Sequence, residues 1–356
     1  MQINTVPKNF IINVPFQNRG KTVSDFLLHG LSIRNDGDTE VQLEEVCFGL
    51  YASELLVKQI SYKGSALENM ALRFSEDTLN LDKGFIAKLF LGEEDFFRPA
   101  CYTTALTLKP GQETGIFNEY FVLVYEEIID LLTIQVTFRT GGQLHVQELR
   151  LPVVTYKSKN PYIFPLKGSI SACGNYNCLL DHRQHYSMEF AIDMAQYNKE
   201  QKLCYKEDMR EEDYIVFGKE VLAIAEGVVA GCYSSFFMVS SWNWQERKPY
   251  IDQYGLAAQC GNYIVLEHDN GEYSFYGHLI KDSLTVSLGD KVTQGQPIAR
   301  VGHTGLSNCP HLHFQLMDGP DFLSSRGLPC TFINIKDAAG NSLGLIQEDN
   351  LIIHAD

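Results

Sequence analysis

A pair of histidines separated by one residue is the strongest chemical signal in the sequence. The segment CPHLHF at 309–314 alternates imidazoles with apolar side chains. On a β-strand, side chains two residues apart point to the same face, so His311 and His313 share one face while Leu312 and Phe314 pack on the other. Two imidazoles on one face can divide the work, one binding a metal ion and the other moving protons beside it. The alternative is a pair of solvent-facing histidines.

A second histidine-rich segment, DHRQHYSMEFAID at 181–193, ends on an acidic residue. If a strand runs from Glu189 to Met194, its apolar residues face the core and Asp193 faces the side where the histidine pair can lie. A catalytic zinc site takes three protein ligands and leaves a fourth position for water. One histidine of this segment, Asp193 and one histidine of the pair meet that number. A third element is YGHL at 276–279, where His278 ends a strand and begins a turn.

These segments carry a family resemblance. Residues 161–332, approximately, resemble the lysostaphin/LytM-type zinc metallopeptidases, which are bacterial cell-wall endopeptidases. The resemblance rests on the order, spacing and glycine placement of PLKG, EFAIDMA, KEVLAIAEGVVAG, GNYIVLEHDNGEYSFYGHL, GDKVTQGQPIARVGHTG and PHLHFQL. It implies an antiparallel β-sheet peptidase domain with an open groove.

The resemblance also implies a role for each matching residue. One Zn²⁺ is expected on a histidine of the early segment, Asp193 and His313. His311 is expected to be the general base for the metal-activated water. His278 is expected to stabilise the oxyanion or to help place the water. All of these residue types are present at the matching positions.

The early segment departs from the usual family pattern, in which the histidine ligand stands four residues before the aspartate. Here that position is Glu189. The segment looks like a variant with a longer loop, which favours His182 as the ligand and keeps His185 as the alternative; Glu189 as an oxygen ligand is the least favoured reading. His303 and Tyr276 are candidate groove residues, although aromatic residues in strands more often belong to the core.

The resemblance implies a zinc-dependent endopeptidase that hydrolyses peptide bonds in peptidoglycan stems or cross-bridges. The alternative is a catalytically inactive scaffold of the same fold that binds peptidoglycan or a protein partner. Inactive members usually lose metal ligands, whereas Asp193, His278, His311 and His313 are all present. The intact set favours the enzyme.

Composition limits the other classes of function. The chain has 356 residues, with 29 Lys and Arg against 44 Asp and Glu, for a formal charge of −15. An acidic chain without a basic stripe is not expected to bind nucleic acid. No apolar run approaches the roughly 20 residues that cross a bilayer. The N-terminal segment lacks the pattern of a secretory signal, so the expectation is a cytoplasmic protein, or one exported by a route or leader not seen here. Nine scattered cysteines without a CxxC pair indicate reduced thiols.

Two domains are expected at this length. Short strands broken by turns, such as the glycine pair 141–142, predict an immunoglobulin-like β-sandwich over residues 1–157. The polar segment 157–161 ends in proline and marks the boundary. Residues 158–356 form the predicted peptidase domain, with a hairpin closed by Asp-Asn-Gly at 269–271. The polar segment 235–260, which holds both tryptophans, is expected to be an irregular excursion beside the groove.

Overall fold

The computed structural model describes residues 1–72, 83–173, 181–198, 200, 202–205, 210–346 and 351–356. The described chain is mostly β-structure and divides into two compact units. The first unit comprises residues 1–156 and 184–186, and the second comprises residues 157–183 and 187–356. Eight cysteines are free thiols, and Cys178 lies outside the described residues. Within the described ranges, no helix is both long enough and apolar enough to span a membrane.

In its described residues, the first unit has a ten-stranded sheet and two short helices. The strand order is β1-β4-β2-β10-β9-β5-β6, with β3 and β8 on β4 and β7 on β5. Its elements are β1 Gln2–Val6, β2 Ile11–Asn13, β3 Phe16–Asn18, β4 Lys21–Arg34, β5 Val41–Ala52, β6 Leu55–Lys63, α1 Ser65–Leu72, α2 Lys83–Leu91, β7 Thr107–Leu108, β8 Glu113–Tyr125, β9 Leu131–Thr140 and β10 Gln143–Thr155.

Two groups of strands face each other in this unit. Strands β1 to β4 with β8 form one group, the remaining strands form the other, and β10 joins them by pairing with β2. Phe121 on β8 lies with its ring centroid 5.2 Å from Phe26 on β4 and 5.4 Å from Phe48 on β5. All three rings are buried, so both groups share one apolar core. The first unit is thus a curled β-sheet, and the immunoglobulin-like β-sandwich stays a prediction.

The second unit is built on an eleven-stranded sheet. The strand order is β17-β14-β15-β16-β19-β12-β11-β23-β21-β22, with β20 on β19; β13 and β18 form a separate two-stranded sheet. The elements are β11 Gly168–Cys173, β12 Ile192–Gln196, β13 Glu220–Leu222, β14 Gly227–Tyr233, α3 Trp244–Tyr254, α4 Ala257–Cys260, β15 Asn262–His268, β16 Glu272–Leu279, β17 Lys291–Val292, β18 Pro297–Arg300, β19 Leu312–Met317, β20 Gly327–Leu328, β21 Ile335–Asp337, β22 Ser342–Leu343 and β23 Leu351–Ala355, with 3₁₀ turns at Asp181–Gln184, Glu211–Asp213 and Asp269–Gly271.

The named strands that carry the histidines of interest pair antiparallel at the centre of this sheet. Strand β19 lies between β12 and β16, and β16 pairs with β15 through the predicted Asp-Asn-Gly hairpin. Asn270 and Gly271 in that turn have φ of 65° and 70°, the left-handed conformation that this residue pair favours. Central strands with neighbours on both sides hold their side chains in a fixed register, which is what a metal site requires.

One expectation for this unit was wrong. The segment 235–260 is not irregular throughout, because α3 and α4 occupy much of it. Asn243 caps α3 by accepting hydrogen bonds from the backbone N–H groups of Gln245 and Glu246. The sequence did not predict a helix here, because α3 is polar in composition and contains a proline at position 249.

Candidate active site

Strand pairing brings Asp193 and His313 together. Asp193 on β12 stands directly opposite His313 on β19 in the antiparallel register, so their side chains project from the same face. The Nδ1 atom of His313 lies 3.0 Å from Oδ1 of Asp193. Strand pairing therefore brings together two side chains that are 120 positions apart in sequence.

His182 completes a three-residue cluster from outside the sheet. It lies in the 3₁₀ turn Asp181–Gln184, and its Nε2 is 3.7 Å from Oδ2 of Asp193. Its ring meets the His313 ring edge to face, with centroids 4.8 Å apart. One ligand atom from each of the three residues lies within 4.8 Å of the other two, which is the arrangement of a metal-binding triad.

Two further histidines flank this triad. His311 places Nε2 3.5 Å from Oδ1 of Asp193, and its ring centroid is 4.7 Å from that of His278. The His278 ring is also 5.9 Å from the ring of His313. Both flanking residues are buried, at 7% and 6% exposed for His311 and His278 respectively. The second unit thus brings the triad and the two flanking histidines close together, and the catalytic and metal-binding roles expected for them stay predictions.

Backbone carbonyls orient the two flanking imidazoles. Nδ1 of His278 donates to the carbonyl oxygen of Thr304 at 2.7 Å, and Nδ1 of His311 donates to the carbonyl oxygen of Cys309 at 2.8 Å. A carbonyl oxygen only accepts hydrogen bonds, so Nδ1 carries the proton in both rings. In each neutral ring Nε2 is then the acceptor. His278 also holds a φ of 59°, an unusual conformation for a side-chain-bearing residue that is found at functional sites.

The charges in the cluster shift one another's protonation. Burial alone would raise the pKa of Asp193, but His182, His311 and His313 hold that pKa well below its ordinary value. Burial alone would lower the pKa of His311, but the Asp193 carboxylate raises it to about 10. Burial, reinforced by the neighbouring His311 and His313, holds the pKa of His278 well below its ordinary value. His278 is consequently neutral at physiological pH.

His185 and Glu189, the other ligands considered in the early segment, lie in different surroundings. The His185 ring packs on Phe90 with centroids 4.4 Å apart, and His185 belongs to the first unit. Glu189 forms a buried ion pair with Arg183 at 3.3 Å. The cluster in the structure contains His182 and neither of these two residues.

The two candidate groove residues differ in their surroundings. Tyr276 is fully buried, so its expected contact with substrate is wrong: it pairs with Phe314 on β19 and shares the face opposite to His313. Its hydroxyl accepts a hydrogen bond from the backbone N–H of Ile224. His303 is partly exposed and lies 3.2 Å from Glu211 through Nδ1. A role for His303 in binding substrate stays a prediction.

Sequence reasoning did not identify the groups that hold the flanking imidazoles. Thr304 fixes its own loop by donating from Oγ1 to the carbonyl oxygen of Leu279 at 2.8 Å. Ser307 lies with Oγ 3.2 Å from Nδ1 of His311 and donates to the carbonyl oxygen of Cys309. Every residue has a backbone carbonyl, so the residue types in a sequence do not show which carbonyl will accept a hydrogen bond. That depends on the path of the loop.

A triad of two histidines and one aspartate, beside two imidazoles that can carry protons, defines the class of single-metal hydrolytic sites. Sequence comparison identifies a Peptidase family M23 domain, whose family model matches residues 213–323 of the chain. Members of this family bind zinc. The matched range includes His278, His311 and His313, whereas His182 and Asp193 precede it.

Three curated relatives illustrate the similarity. The chain is 35% identical over 99 residues to the murein hydrolase activator EnvC of Escherichia coli, covering 28% of this chain and 18% of the relative. It is 44% identical over 58 residues to the peptidoglycan DD-endopeptidase ShyA of Vibrio cholerae, covering 16% and 13%. It is 37% identical over 83 residues to the glycyl-glycine endopeptidase ALE-1 of Staphylococcus capitis, covering 23% and 22%. The chain thus spans less than a quarter of each relative's length.

Solved structures give two further comparisons. The catalytic domain of lysostaphin from Staphylococcus simulans is 23% identical, with a TM-score of 0.27, covering 45% of this chain and 88% of that one. A zinc-containing peptidase from Vibrio cholerae is 13% identical, with a TM-score of 0.29, covering 88% and 85%.

Proposed function

We propose that the chain is a zinc-dependent endopeptidase that hydrolyses peptide bonds in peptidoglycan stems or cross-bridges. The observation that carries the proposal is the convergence of His182, Asp193 and His313, with two oriented histidines beside them. The family match and the peptidase names of two relatives support it. In this proposal the second unit performs the reaction and the first is an accessory β-module, with the domain boundary near residue 157.

The three side chains fit a zinc ion by their chemistry. Zinc favours imidazole nitrogen and carboxylate oxygen, and catalytic sites use three such protein ligands. Nε2 of His182 and Nδ1 of His313 approach the same Asp193 carboxylate from its two oxygens. A zinc ion bound here would polarise the scissile carbonyl and make water a better nucleophile near neutral pH.

His311 is the proposed general base. Its Nδ1–H is held by the carbonyl oxygen of Cys309, so Nε2 faces the triad and can take a proton from the attacking water. The Asp193 carboxylate raises the pKa of His311 to about 10, and a zinc ion on that carboxylate would lower this pKa by compensating the negative charge. His311 can then accept a proton and pass it to the leaving amine, a contribution of roughly 10²–10⁴-fold.

His278 is better suited to placing the water than to binding the oxyanion. Because its Nδ1–H donates to the carbonyl oxygen of Thr304 and its pKa is low, Nε2 is a hydrogen-bond acceptor. An acceptor can hold a water proton, whereas an oxyanion needs a donor. We assign the water-placing role to His278 on this basis.

A second candidate function is a scaffold without catalytic activity. The similarity to a relative named as a murein hydrolase activator favours this alternative. A scaffold requires no metal, so a folded protein that contains no zinc would distinguish the scaffold from the enzyme. Retention of all three triad side chains supports the enzyme over the scaffold.

Zinc analysis combined with hydrolysis of purified peptidoglycan tests the proposal. Wild type would be compared with His182→Ala, His311→Ala and His185→Ala, the last being the matched control from the same segment. We expect zinc to be lost only in His182→Ala, and hydrolysis to be lost in both His182→Ala and His311→Ala. New amino groups measured by mass spectrometry of released fragments identify the bond that is cut.

Two outcomes would contradict the proposal. A folded wild type that binds no zinc favours the scaffold. Zinc loss in His185→Ala, with zinc retained in His182→Ala, would overturn the assignment of the first ligand. Thermal unfolding of each variant verifies that the loss of zinc does not reflect a loss of the fold.

A further inference from the structure

A buried glutamine stands beside the proposed metal ligands. Gln315 follows His313 by two residues on β19, so the two side chains share one face of the sheet. Gln315 is 1% exposed and His313 is 4% exposed. A glutamine amide in such a position needs hydrogen-bond partners, because an unpaired buried polar group costs roughly 1–3 kcal/mol.

The partners determine which way the amide faces. The Nε2 group of Gln315 donates to the carbonyl oxygen of Ser187 at 3.1 Å. A carbonyl oxygen offers no proton, so the amide nitrogen must lie on that side. The amide oxygen of Gln315 then faces the other way, 3.0 Å from Nε2 of His313. The amide oxygen accepts, so Nε2 of His313 carries the proton in this bond.

This bond decides which nitrogen of His313 faces the triad. Because Nε2 is engaged by the Gln315 amide oxygen, Nδ1 is the nitrogen that faces the triad, where it lies in hydrogen-bond contact with the Asp193 carboxylate at 3.0 Å. A metal ion bound there would take the place of the Nδ1 proton. A metal ligand must present a lone pair, and the hydrogen bond on its other nitrogen commonly fixes the ring. The strand pairing and the Gln315 amide thus hold His313 from two sides.

The same amide also fixes the segment that carries the first ligand. His182 and Asp193 are eleven residues apart, so one strand cannot place both. Ser187 lies between them, and its carbonyl oxygen is held by Gln315. The Gln315 side chain therefore contacts both His313 and the loop that connects His182 to Asp193.

We propose that Gln315 is a positioning residue of the metal centre, which orients His313 with Nδ1 towards Asp193 and ties the 182–193 segment to β19. This inference rests on the proposed function, since it concerns the residues that would hold zinc. It adds a fourth side chain that determines metal affinity without touching the metal.

The test measures zinc affinity by competition with a chromophoric chelator. In Gln315→Met, which keeps side-chain length and removes both hydrogen bonds, we expect the zinc Kd to rise about 10–100-fold. The matched control is Met317→Leu. Met317 is buried two positions further along the same face of β19, and the zinc Kd of this variant should differ from that of wild type by less than about twofold. Unfolding of the zinc-free variants separates affinity from stability, because a purely structural role lowers stability and leaves the Kd of the folded protein unchanged.

A measurement on wild type remains decisive if Gln315→Met does not fold. In zinc-loaded protein with ¹⁵N-labelled histidine, NMR should show His313 bound to zinc through Nδ1, with a proton on Nε2. Coordination through Nε2, or an unchanged Kd in Gln315→Met, would overturn the inference alone. A folded wild type that binds no zinc would overturn both the inference and the proposed function.

Discussion

Breaking the buried ion pair between Arg183 and Glu189 by removing one partner should strongly destabilise the second unit. Both residues lie in the segment between His182 and Asp193, with the charged groups 3.3 Å apart and exposures of 0% and 1%. The Arg183 guanidinium also lies 4.9 Å from the ring centroid of Phe190. In Arg183→Met the apolar contact is kept, but the Glu189 carboxylate loses the positive charge of Arg183 while it stays buried.

Removing one member of a buried pair costs about 3–5 kcal/mol, because the remaining charge is uncompensated. Arg183→Met should therefore lower the unfolding equilibrium free energy by that amount, a factor of roughly 10²–10⁴ in the folding constant. The double variant Arg183→Met/Glu189→Leu removes both charges and should be more stable than Arg183→Met, since apolar replacement of a buried pair is often neutral.

Urea unfolding followed by tryptophan fluorescence suits this experiment. Both tryptophans, Trp242 and Trp244, belong to the second unit, so the signal reports on the unit that holds the ion pair. The control is Lys248→Met, which breaks an exposed pair with Asp252 at 2.8 Å and should cost less than about 1 kcal/mol. A cost below about 1 kcal/mol for Arg183→Met, or a double variant at least as unstable as the single one, would show that the charge on Glu189 does not need Arg183.

Three further predictions concern buried residues of the second unit. Tyr276→Phe should lower the free energy of unfolding by about 1–3 kcal/mol, because the lost hydroxyl is buried and accepts a hydrogen bond from the backbone N–H of Ile224. KM for peptidoglycan should not change. A raised KM would show that Tyr276 contributes to substrate binding. Gly305→Ala should reduce peptidoglycan hydrolysis with zinc retained. Gly305 has a φ of 79°, and an added Cβ would lie 2.1 Å from the backbone nitrogen of Gly261, so the adjoining Thr304 carbonyl that orients His278 would be displaced. Unchanged hydrolysis would contradict this prediction. Burial lowers the pKa of His268 in the folded protein, so the unfolded chain takes up a proton near pH 6.5 before the folded chain does, and stability should fall as the pH drops below that value. His268→Gln should flatten the stability profile between pH 7.5 and 5, measured by urea unfolding, and an unchanged profile would argue against this contribution.

Local patterns in the sequence were enough for the strands at the centre of the site. The alternation around His311 and His313 predicted a strand with both imidazoles on one side, and β19 places His313 on the face where Asp193 lies. The Asp-Asn-Gly turn predicted the β15–β16 hairpin, because this pair readily adopts positive φ. These features depend on a few neighbouring residues, so a single sequence carries them.

Features that depend on register or on distant packing were harder to predict. Tyr276 and Gly277 are adjacent, yet only Gly277 pairs with His313, and this register is set by strand pairing rather than by residue type. The distinction between His182 and His185 depends on which side of a short turn meets Asp193. The same two-residue alternation could have predicted that Gln315 shares a face with His313. Its hydrogen bond to the backbone carbonyl of Ser187 could not be predicted, because Ser187 is distant in sequence.

An anomalous difference map from zinc-loaded crystals, recorded at the zinc absorption edge, tests the proposed metal centre directly. We expect one peak in the second unit, bounded by Nε2 of His182, the Asp193 carboxylate and Nδ1 of His313, at zinc–ligand distances of about 2.0–2.2 Å. A peak held by other residues, or no peak in crystals of folded protein soaked with zinc, would contradict this expectation.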